Sequence, residues 1–499
     1  MKKSTYRSGR WNRRDFLKST AAAAAVATFG VPTLLRAQNL NSKLNIAAIG
    51  AGGKGSSDIN CVDSENIYAL CDADLDNSAE QRKKHPDAKF YQDYRKMLDE
   101  CGKSIDAVMV STPDHFHAIA AAAAMRLGKH VYCQKPLVQT IYEARYLRTL
   151  AHETKVITQM GNQGSSHDGL RRAVEVVQAG LIGPVRQVHV WTNRPIWPQG
   201  MTRPDGSDPI PDSLNWDIWL GPAAARPFKK DIYQPFVWRG WQDFGTGALG
   251  DMACHTVNMP FRATGFGYPT EIEAEIFGAP NKDSYPIGSK IRFEFPARKI
   301  TIPAAHRTFF HRHDTIEQVA TTFWWYDGGQ PLADNPTKHD GSNKPPREIT
   351  ADVEGLLGEI PGAGCILVGD KGLIFSPDDY GADFFVKLSD DKKFTHSSKH
   401  PAVAAIPQTI PRNPYHEEKM DADRRQHLEW IKAIKDNNPE QCYSRFAIAA
   451  QLTEVMLLGC VSIRAGKKIM WDGPSMTATN APEAAQYIKR ENRAGFLLA

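Results

Sequence analysis

The chain has 499 residues, of which 41% are hydrophobic and 23% are charged. This length suits about two to four domains of roughly 100–200 residues, so a single small module is excluded. The composition is that of a globular protein and excludes an intrinsically disordered chain. No run of the roughly 20 apolar residues that a spanning helix needs is expected in the body of the chain, so no stable membrane anchor is predicted.

The net charge of +5 is concentrated at the start of the chain. Residues 1–37 contain eight Lys or Arg residues and one Asp, so the remainder is slightly acidic. The charge therefore gives no support for a nucleic acid or an anionic membrane as a partner.

The first 37 residues are predicted to be a twin-arginine signal peptide. Arg13 and Arg14 precede a moderately apolar run, 21–35, that is too short and too rich in Ala to span a bilayer. Five consecutive alanines make no amphipathic face, which disfavours the alternative, a first helix of the fold. We expect cleavage after about Ala37, export of the folded protein to the periplasm, and no lipid anchor, because the first cysteine is Cys61.

The eight cysteines form no Cys-x-x-Cys pair or Cys/His cluster, so no metal site is predicted from them. Their apolar neighbours favour buried free thiols, with disulfides as the alternative. A histidine-rich stretch contains His306, His311, Arg312 and His313. It is interpreted as a solvated basic turn, with metal binding as the less favoured alternative.

Two regions with different patterns follow the signal. Residues 38–163 alternate short apolar runs with amphipathic stretches, which predicts a doubly wound parallel sheet of the Rossmann type. Residues 164–499 contain period-two strands among Pro/Gly loops, which predicts an α+β domain with a large, mostly antiparallel open sheet. Its last helices are expected to pack on either domain, and the open sheet favours a homo-oligomer. The predicted strands are 44–50, 66–72, 105–112, 130–136, 156–161, 185–194, 271–278, 290–296, 321–326, 365–368, 372–375 and 384–388; the predicted helices are 78–84, 94–101, 115–127, 141–153, 168–179, 421–436 and 445–464.

A glycine-rich turn closes the first predicted strand. The G-x-G-x-x-G spacing is formed by Gly50, Gly52 and Gly55, with Gly53 as one additional glycine. Asp72 ends the next predicted strand, 22 residues after Gly50. In this context the pattern indicates a dinucleotide site, with a tight turn, close approach of the pyrophosphate at Gly52 and close helix packing at Gly55. Asp72 would accept bonds from the ribose hydroxyls and repel a 2′-phosphate, which favours NAD over NADP; the alternative role is a helix cap.

Two polar segments lie at the carboxyl ends of later strands, where open α/β sheets bind ligands. With these segments the sequence resembles the Gfo/Idh/MocA (glucose–fructose oxidoreductase, inositol dehydrogenase) family over nearly all of the mature chain. The motifs that support the resemblance are Gly50–Gly55, Asp72, Thr112–His117, Lys135-Pro136, 161–163, 243–245 and 250–255.

The resemblance implies that Lys135, Asp251 and His255 are the catalytic group. Asp251 and His255 are four residues apart, so a helix would place them on one face. His255 would then act as a base held by Asp251, and Lys135 would polarise the substrate oxygen. The family's usual Glu is replaced here by Gln134. Lys135 then lacks a carboxylate partner, so the sequence leaves the division of proton transfer between Lys135 and His255 open.

Further contacts are predicted around this group. Cofactor contacts are expected at Thr112, Pro113, His115, His117, Lys135, Asn162 and Gln163, where the two histidines fit a core position equally well. A sugar is expected against Arg194, Trp238, Asp243 and His255, together with Trp197, Arg239 and Trp241, although several of these tryptophans fit a hydrophobic core equally well.

Three functions are consistent with the sequence. The leading one is an exported oxidoreductase that transfers a hydride from a secondary hydroxyl carbon of a sugar or glycoside, with C3 favoured, to tightly bound NAD that an electron acceptor restores. The second is an NAD-dependent glycosidase that oxidises, eliminates, adds water and reduces again, with Tyr233, Tyr326 or His117 as the extra acid or base. The third is a non-catalytic sugar-binding protein that keeps NAD as a structural part.

Overall fold

Six strands form a parallel sheet in the order β3-β2-β1-β4-β5-β6. The computed structural model describes residues 43–301 and 315–498. Four of these strands are buried along almost their whole length, because apolar side chains on both faces are covered. The strands are β1 Asn45–Ile49, β2 Asn66–Cys71, β3 Lys89–Tyr91, β4 Ala107–Val110, β5 His130–Gln134 and β6 Thr158–Gly161.

Helices connect these strands, as a parallel sheet requires. The fifth begins with a capping box in which Thr140 and Glu143 satisfy each other's backbone N–H groups. Strand order and crossovers confirm the predicted doubly wound fold. The helices are α1 Lys54–Cys61, α2 Ala79–Lys84, α3 Tyr94–Cys101, α4 Asp114–Arg126, α5 Ile141–Thr154 and α6 Asp168–Gln178.

Ten strands form a second sheet in the order β16-β15-β14-β13-β7-β12-β9-β8-β17-β18. Only β7 and β12 pair in parallel, which confirms the predicted, mostly antiparallel sheet. Two further strands, β10 and β11, form a separate antiparallel pair. The strands are β7 Val185–Trp191, β8 Glu271–Phe277, β9 Gly288–Phe295, β10 Arg298–Thr301, β11 Thr315–Gln318, β12 Thr321–Asp327, β13 Gly364–Gly369, β14 Gly372–Ser376, β15 Phe385–Leu388, β16 Thr395–His396, β17 Ile469–Asp472 and β18 Thr477–Ala478.

Eight more helices belong to this second part of the chain. The helix that begins at Gly247 contains Asp251 and His255, and is buried along its whole length. The helices are α7 Trp216–Leu220, α8 Gly247–Thr256, α9 Asn258–Thr264, α10 Arg347–Leu357, α11 Pro401–Ala404, α12 Ala422–Lys435, α13 Phe446–Ala465 and α14 Ala485–Ile488.

The two long C-terminal helices pack on the parallel sheet. On one face, Trp430 and Ile431 of α12 join a core cluster with Ile46, Met109 and Tyr132 of the strands. On the other face, α13 lies against α5 and α8. Buried contacts therefore connect the end of the chain to its first sheet.

The expectation that the body of the chain holds no run long and apolar enough to span a membrane is wrong. Helix α13 has 20 residues and a mean hydropathy of 1.8. However, 78% of its apolar stretch is buried inside the protein. It is apolar all round because it lies in the core.

The eight cysteines are all free and buried, as their apolar neighbours indicated. The histidine-rich stretch with His306, His311 and His313 lies outside the described residues. The sequence analysis did not predict the strands β3, β10, β11 and β16 to β18, or the helices α7, α9 to α11 and α14, most of which are short or lie among Pro/Gly loops. For α8 it considered a helix only as the way to place Asp251 and His255 on one face.

Candidate functional site

A crevice of about 560 Å³ opens at the carboxyl ends of β1, β2, β4 and β5. One wall is the glycine turn with the residues that follow β2. The other wall comes from residues 211–239 of the second part of the chain. Thr112, Pro113 and Lys135 lie between the two walls. This is where an open α/β sheet binds its ligand.

The glycine turn is fixed by close backbone approaches. Gly50 has a φ of +87°, and a Cβ there would lie 2.5 Å from the carbonyl oxygen of Ser111. A Cβ on Gly55 would lie 2.0 Å from the carbonyl oxygen of Gly50, as the predicted helix packing requires. Gly52 lines the crevice, and a Cβ there would meet the Asn77 side chain at 2.2 Å. Gly52 therefore also makes room for a neighbouring loop.

The Asp72 side chain accepts hydrogen bonds from the backbone of the glycine turn. Its Oδ2 accepts the N–H groups of Ala51 at 2.9 Å and Gly52 at 3.1 Å, and its Oδ1 accepts the N–H of Asp74 at 3.0 Å. Burial raises the pKa of Asp72, and these N–H donors oppose that rise. Gly53 faces open space at the crevice with a φ of +51°. The turn, the acid and the space beside Gly53 fit a dinucleotide.

Lys135 and Asp251 form a buried ion pair beyond the opposite end of the turn. Lys135 follows β5, and its Nζ lies 2.9 Å from Asp251 Oδ1 on α8. Arg239 Nε also donates to that oxygen, at 3.1 Å. Burial raises the pKa of Asp251, but the positive charges of Lys135 and Arg239 outweigh it and bring this pKa to about 2. Asp251 is therefore a carboxylate at neutral pH.

His255 lies one helical turn after Asp251. It is 4% exposed, and its Nδ1 has no hydrogen-bond partner among residues 43–301 and 315–498. Burial, and then the charge of Lys135, lower the pKa of His255 well below its usual value. The imidazole is therefore neutral, and it is a weaker base than an ordinary histidine. The ring of Tyr380 meets it edge-on, with the ring centres 5.1 Å apart.

The structure explains why Gln134 stands where the family usually has Glu. Its Nε2 donates to both carboxylate oxygens of Asp58 on α1, at 3.1 and 2.9 Å. A glutamate here would place two carboxylates in contact without a proton between them. Gln134 therefore pairs with Asp58, and the carboxylate that Lys135 lacks in the sequence is supplied by Asp251.

A second carboxyl group, on Asp114 at the start of α4, is buried near this pair. Its Oδ2 accepts a hydrogen bond from Thr246 Oγ1 at 2.7 Å, and its Oδ1 has no partner in the described part of the chain. Burial, and then the charge of Asp251, raise the pKa of Asp114 to about 7. The sequence analysis missed Asp114 and Tyr380, because an Asp at a helix start and a Tyr in a loop are common elsewhere.

Three predicted cofactor contacts lie behind the crevice wall. His115 is fully buried against Trp219 and Phe244, and burial lowers its pKa to about 3. Both ring nitrogens of His117 face backbone carbonyl oxygens, at 2.8 and 2.7 Å. Asn162 is fully buried and donates to the carbonyl oxygen of Cys254 in α8. These three residues position neighbouring backbone, and Gln163, which is half-buried, does not line the crevice.

The predicted sugar contacts divide into two groups. Trp238 and Arg239 line the crevice, with the Arg239 guanidinium 4.3 Å from the Trp238 ring centre. Arg194 is half-buried, and its charge acts on His255. The prediction for Asp243 is not supported, because its carboxylate pairs with Arg226 and Arg203 away from the crevice. Trp197 and Trp241 are core residues.

Two regions of the chain match models of one protein family. Residues 44–162 match its NAD-binding Rossmann fold, and residues 172–267 match its C-terminal alpha/beta domain. Over these two regions the chain matches the Gfo/Idh/MocA oxidoreductase family. NAD is the cofactor of its Rossmann domain. Residues 12–30 match the signal sequence of the twin-arginine translocation pathway.

Individual relatives resemble the chain in part. Levoglucosan dehydrogenase of Pseudarthrobacter phenanthrenivorans is 24% identical over 190 residues, which are 38% of this chain and 40% of that protein. A glycosyl hydrolase family 109 protein of Solibacter usitatus is 31% identical over 156 residues, 29% of this chain and 35% of that protein. The chain thus spans less than half the length of these curated relatives.

The likeness in fold extends further than the likeness in sequence. An inositol dehydrogenase homologue from Azotobacter vinelandii, solved with NADH and myo-inositol, matches 86% of this chain and 98% of that chain. The TM-score is 0.54 at 14% sequence identity, which shows a common fold.

Proposed function

We propose that the protein is an exported dehydrogenase that oxidises a secondary hydroxyl of a sugar or glycoside, at C3, with bound NAD. The observation that supports this most directly is the Lys135–Asp251 pair at 2.9 Å beside the dinucleotide crevice, with the neutral His255 one turn away. Residues 1–37 would be removed on export to the periplasm. Residues 38–163 would bind NAD and residues 164–499 the sugar.

The catalytic roles follow from the charges. Lys135 donates a hydrogen bond to the substrate oxygen and stabilises the negative charge that develops on it. His255, which is neutral, accepts the hydroxyl proton. Asp251 holds the Lys135 ammonium in place and remains ionised. Bound NAD supplies the hydride acceptor.

Substrate contacts come from the groups around this trio. Trp238 offers an apolar ring for the C–H face of a sugar, and Arg194 offers donors for its hydroxyls. Trp238 lines the crevice, and the charge of Arg194 acts on His255.

A redox-neutral glycosidase is the second candidate. It needs an additional acid or base, and Tyr380 is in place for that role, because its ring contacts His255. Of the residues suggested by the sequence, Tyr233 lies in an aromatic core cluster and His117 is held by two carbonyl oxygens. The glycosyl hydrolase relative also favours this candidate.

Aryl glycosides without an added acceptor separate the two candidates. A dehydrogenase forms a keto-sugar, reduces its bound NAD once and then stops until an acceptor is added. A glycosidase releases the aglycone continuously while its bound NAD stays oxidised. A protein that holds NAD and does neither with any sugar would be a binding protein, and the proposal would be wrong.

A further inference from the structure

The Asp72 end of the crevice is closed by a segment from the second part of the chain. We call residues 211–231 the cover segment. Its Ile218, Trp219 and Phe228 line the crevice opposite Asp72 and Tyr94. Ile218, Trp219 and Phe228 are each at most 9% exposed. The crevice therefore has an apolar inner wall at the end where Asp72 reads the adenosine ribose.

Backbone hydrogen bonds join the cover segment to the loop after β2. Leu75 N–H donates to the Ser213 carbonyl at 2.9 Å, and Asn215 N–H donates to the Ala73 carbonyl at 2.8 Å. Between these bonds, Leu214 forms an antiparallel bridge with its partner in the loop. The two walls are thus continuous at this end of the crevice.

One side chain reinforces the junction. Gln92 follows β3, and its Nε2 donates to the carbonyl oxygens of Ala73 and Ser213, each at 3.1 Å. Because these two carbonyls lie on opposite walls, the Gln92 amide joins them directly.

The cover segment is itself rigid. Trp216 stacks on Trp219 with ring centres 4.8 Å apart and meets Phe228 edge-on at 5.2 Å. Asn215 caps the short helix α7 by accepting the Ile218 N–H at 3.2 Å. A segment with its own hydrophobic core does not open by rotation of a few loop bonds.

We propose that the cover segment encloses the adenosine half of NAD, so that the dinucleotide is resident and does not exchange during turnover. This rests on NAD binding, and deepens the proposed function by fixing how the cofactor is used. Release requires the 73–75 and 213–215 backbones to separate, which breaks their hydrogen bonds and exposes Trp219. A cofactor that stays bound would suit an exported enzyme, because no pool of free nicotinamide cofactor exists outside the cytoplasm.

The test measures NAD release from the mature protein. The protein is loaded with radiolabelled NAD and chased with excess unlabelled NAD, and the retained label is followed by filtration. We expect release from the wild type on the order of hours. Gln92→Ala removes the side-chain bridge between Ala73 and Ser213 but keeps the backbone bonds of the junction. It should release NAD at least about tenfold faster.

Gln242→Ala is the matched control. Gln242 Nε2 also donates to two backbone carbonyls, those of Asn281 and Ser284, but both lie in the second part of the chain. This variant should release NAD at the wild-type rate. Wild-type release within seconds would overturn the proposal, as would an unchanged release rate in Gln92→Ala.

Hydrogen exchange on the NAD-loaded wild type gives an answer even if Gln92→Ala fails to fold. The amides of Leu75 and Asn215 should exchange as slowly as those of the core strand β4, and exchange within seconds would overturn the proposal. A failure of this proposal can be distinguished from a failure of the proposed function. A protein that retains NAD but oxidises no sugar contradicts the function alone, and one that oxidises sugars while its NAD exchanges within seconds contradicts the residence alone.

Discussion

The described part of the protein contains two largely buried Lys–Asp–His groups in which the Asp and the His have the same spacing. In the first, Asp251 and His255 lie four residues apart on α8, and Lys135 reaches Asp251 from β5. In the second, Asp423 and His427 lie four residues apart on α12, and Lys54 reaches Asp423 at 2.5 Å from the glycine turn. The same residue types at the same spacing thus occur twice.

Their surroundings differ. Lys54 is also paired with Asp58 at 2.6 Å, and these two carboxylates raise its pKa although burial opposes them. His427 is fully buried, stacked on Tyr132 with ring centres 4.0 Å apart. In the first group one carboxylate serves both Lys135 and Arg239, which leaves donors for a substrate oxygen. Lys54 also lines the crevice, and His427 Nε2 and Asp423 Oδ1 have no hydrogen-bond partner in the described part of the chain. The difference is therefore one of charge: two carboxylates hold Lys54, whereas Lys135 has a single carboxylate that it shares with Arg239.

Removing the two imidazoles should give opposite results. His255→Ala deletes the proton acceptor and should lower kcat/KM for sugar oxidation by roughly 10²–10⁴, with NAD content unchanged. His427→Ala should lower the melting temperature and leave kcat/KM within about threefold. The measurements are steady-state rates and thermal unfolding of both variants. If His427→Ala lost activity as severely as His255→Ala while staying folded, the distinction between the groups would be wrong.

Removing the lysine of the second group should destabilise the fold. Lys54→Met leaves the buried Asp58 and the partly buried Asp423 without their cation. The cost in unfolding free energy is below the roughly 3–5 kcal/mol of a fully buried pair, because solvent screens part of the charge. The double variant Lys54→Met/Asp58→Asn relieves part of this charge and serves as the control. Denaturant unfolding measures both, and an unchanged midpoint in Lys54→Met would show that the pair does not stabilise the protein.

Each group has a second buried carboxyl group nearby, which is Asp114 in the first group and Asp58 in the second. Asp114 therefore allows a further test of the comparison. Its pKa of about 7 in the folded state exceeds the ordinary 3.8. The unfolded chain therefore loses this proton first, and the folded state loses stability as pH rises from about 4 to about 7. Asp114→Asn avoids a loss equivalent to at most about 4 kcal/mol.

The melting temperature of Asp114→Asn, minus that of the wild type, should accordingly be higher near pH 8 than near pH 5. Thermal scans across this range measure it. A difference that stays constant with pH would mean that Asp114 is ionised throughout the range.

The smallest effect is expected at the far end of the crevice, which neither group touches. Asp72→Ala removes the carboxylate that we predict to repel a 2′-phosphate. It should reduce the preference for NAD over NADP by about tenfold, with kcat on bound NAD within about threefold. Competition binding of the two dinucleotides measures the preference. An unchanged preference would assign Asp72 only to holding the glycine turn.

Much of the fold was predictable because it depends on local pattern. Buried strands such as β1 and β4 are apolar on both faces, and the spacing from Gly50 to Asp72 marks the strand–turn–helix unit. The order of the large sheet was not predictable, since its strands pair across long loops. Helix α13 was predicted at 445–464, but its apolar length was underestimated; burial in the core allows such a composition.

The site was predictable where a motif fixes it and not where tertiary contacts do. Lys135 contacts Asp251, but the expected hold of Asp251 on His255 is not seen, because Asp251 pairs with Lys135 and Arg239 and His255 Nδ1 has no partner in the described part of the chain. His115 takes the core position that the sequence left open, against Trp219. Asp243 did not meet expectation, because its carboxylate pairs with Arg226. The presence of Gln134 in place of the family's Glu is explained only by its hydrogen bond to Asp58, which lies 76 residues away in the sequence.

The most direct test of the account is a single turnover on bound NAD. The NAD-loaded mature protein is mixed with a panel of sugars and glycosides without acceptor, and the absorbance of reduced nicotinamide is followed beside the equally loaded His255→Ala variant. The account predicts that at least one sugar reduces the wild type's bound NAD rapidly and the variant's at least about 100-fold more slowly. Reduction of both proteins at the same rate would contradict it, as would an NAD-loaded wild type that no sugar reduces.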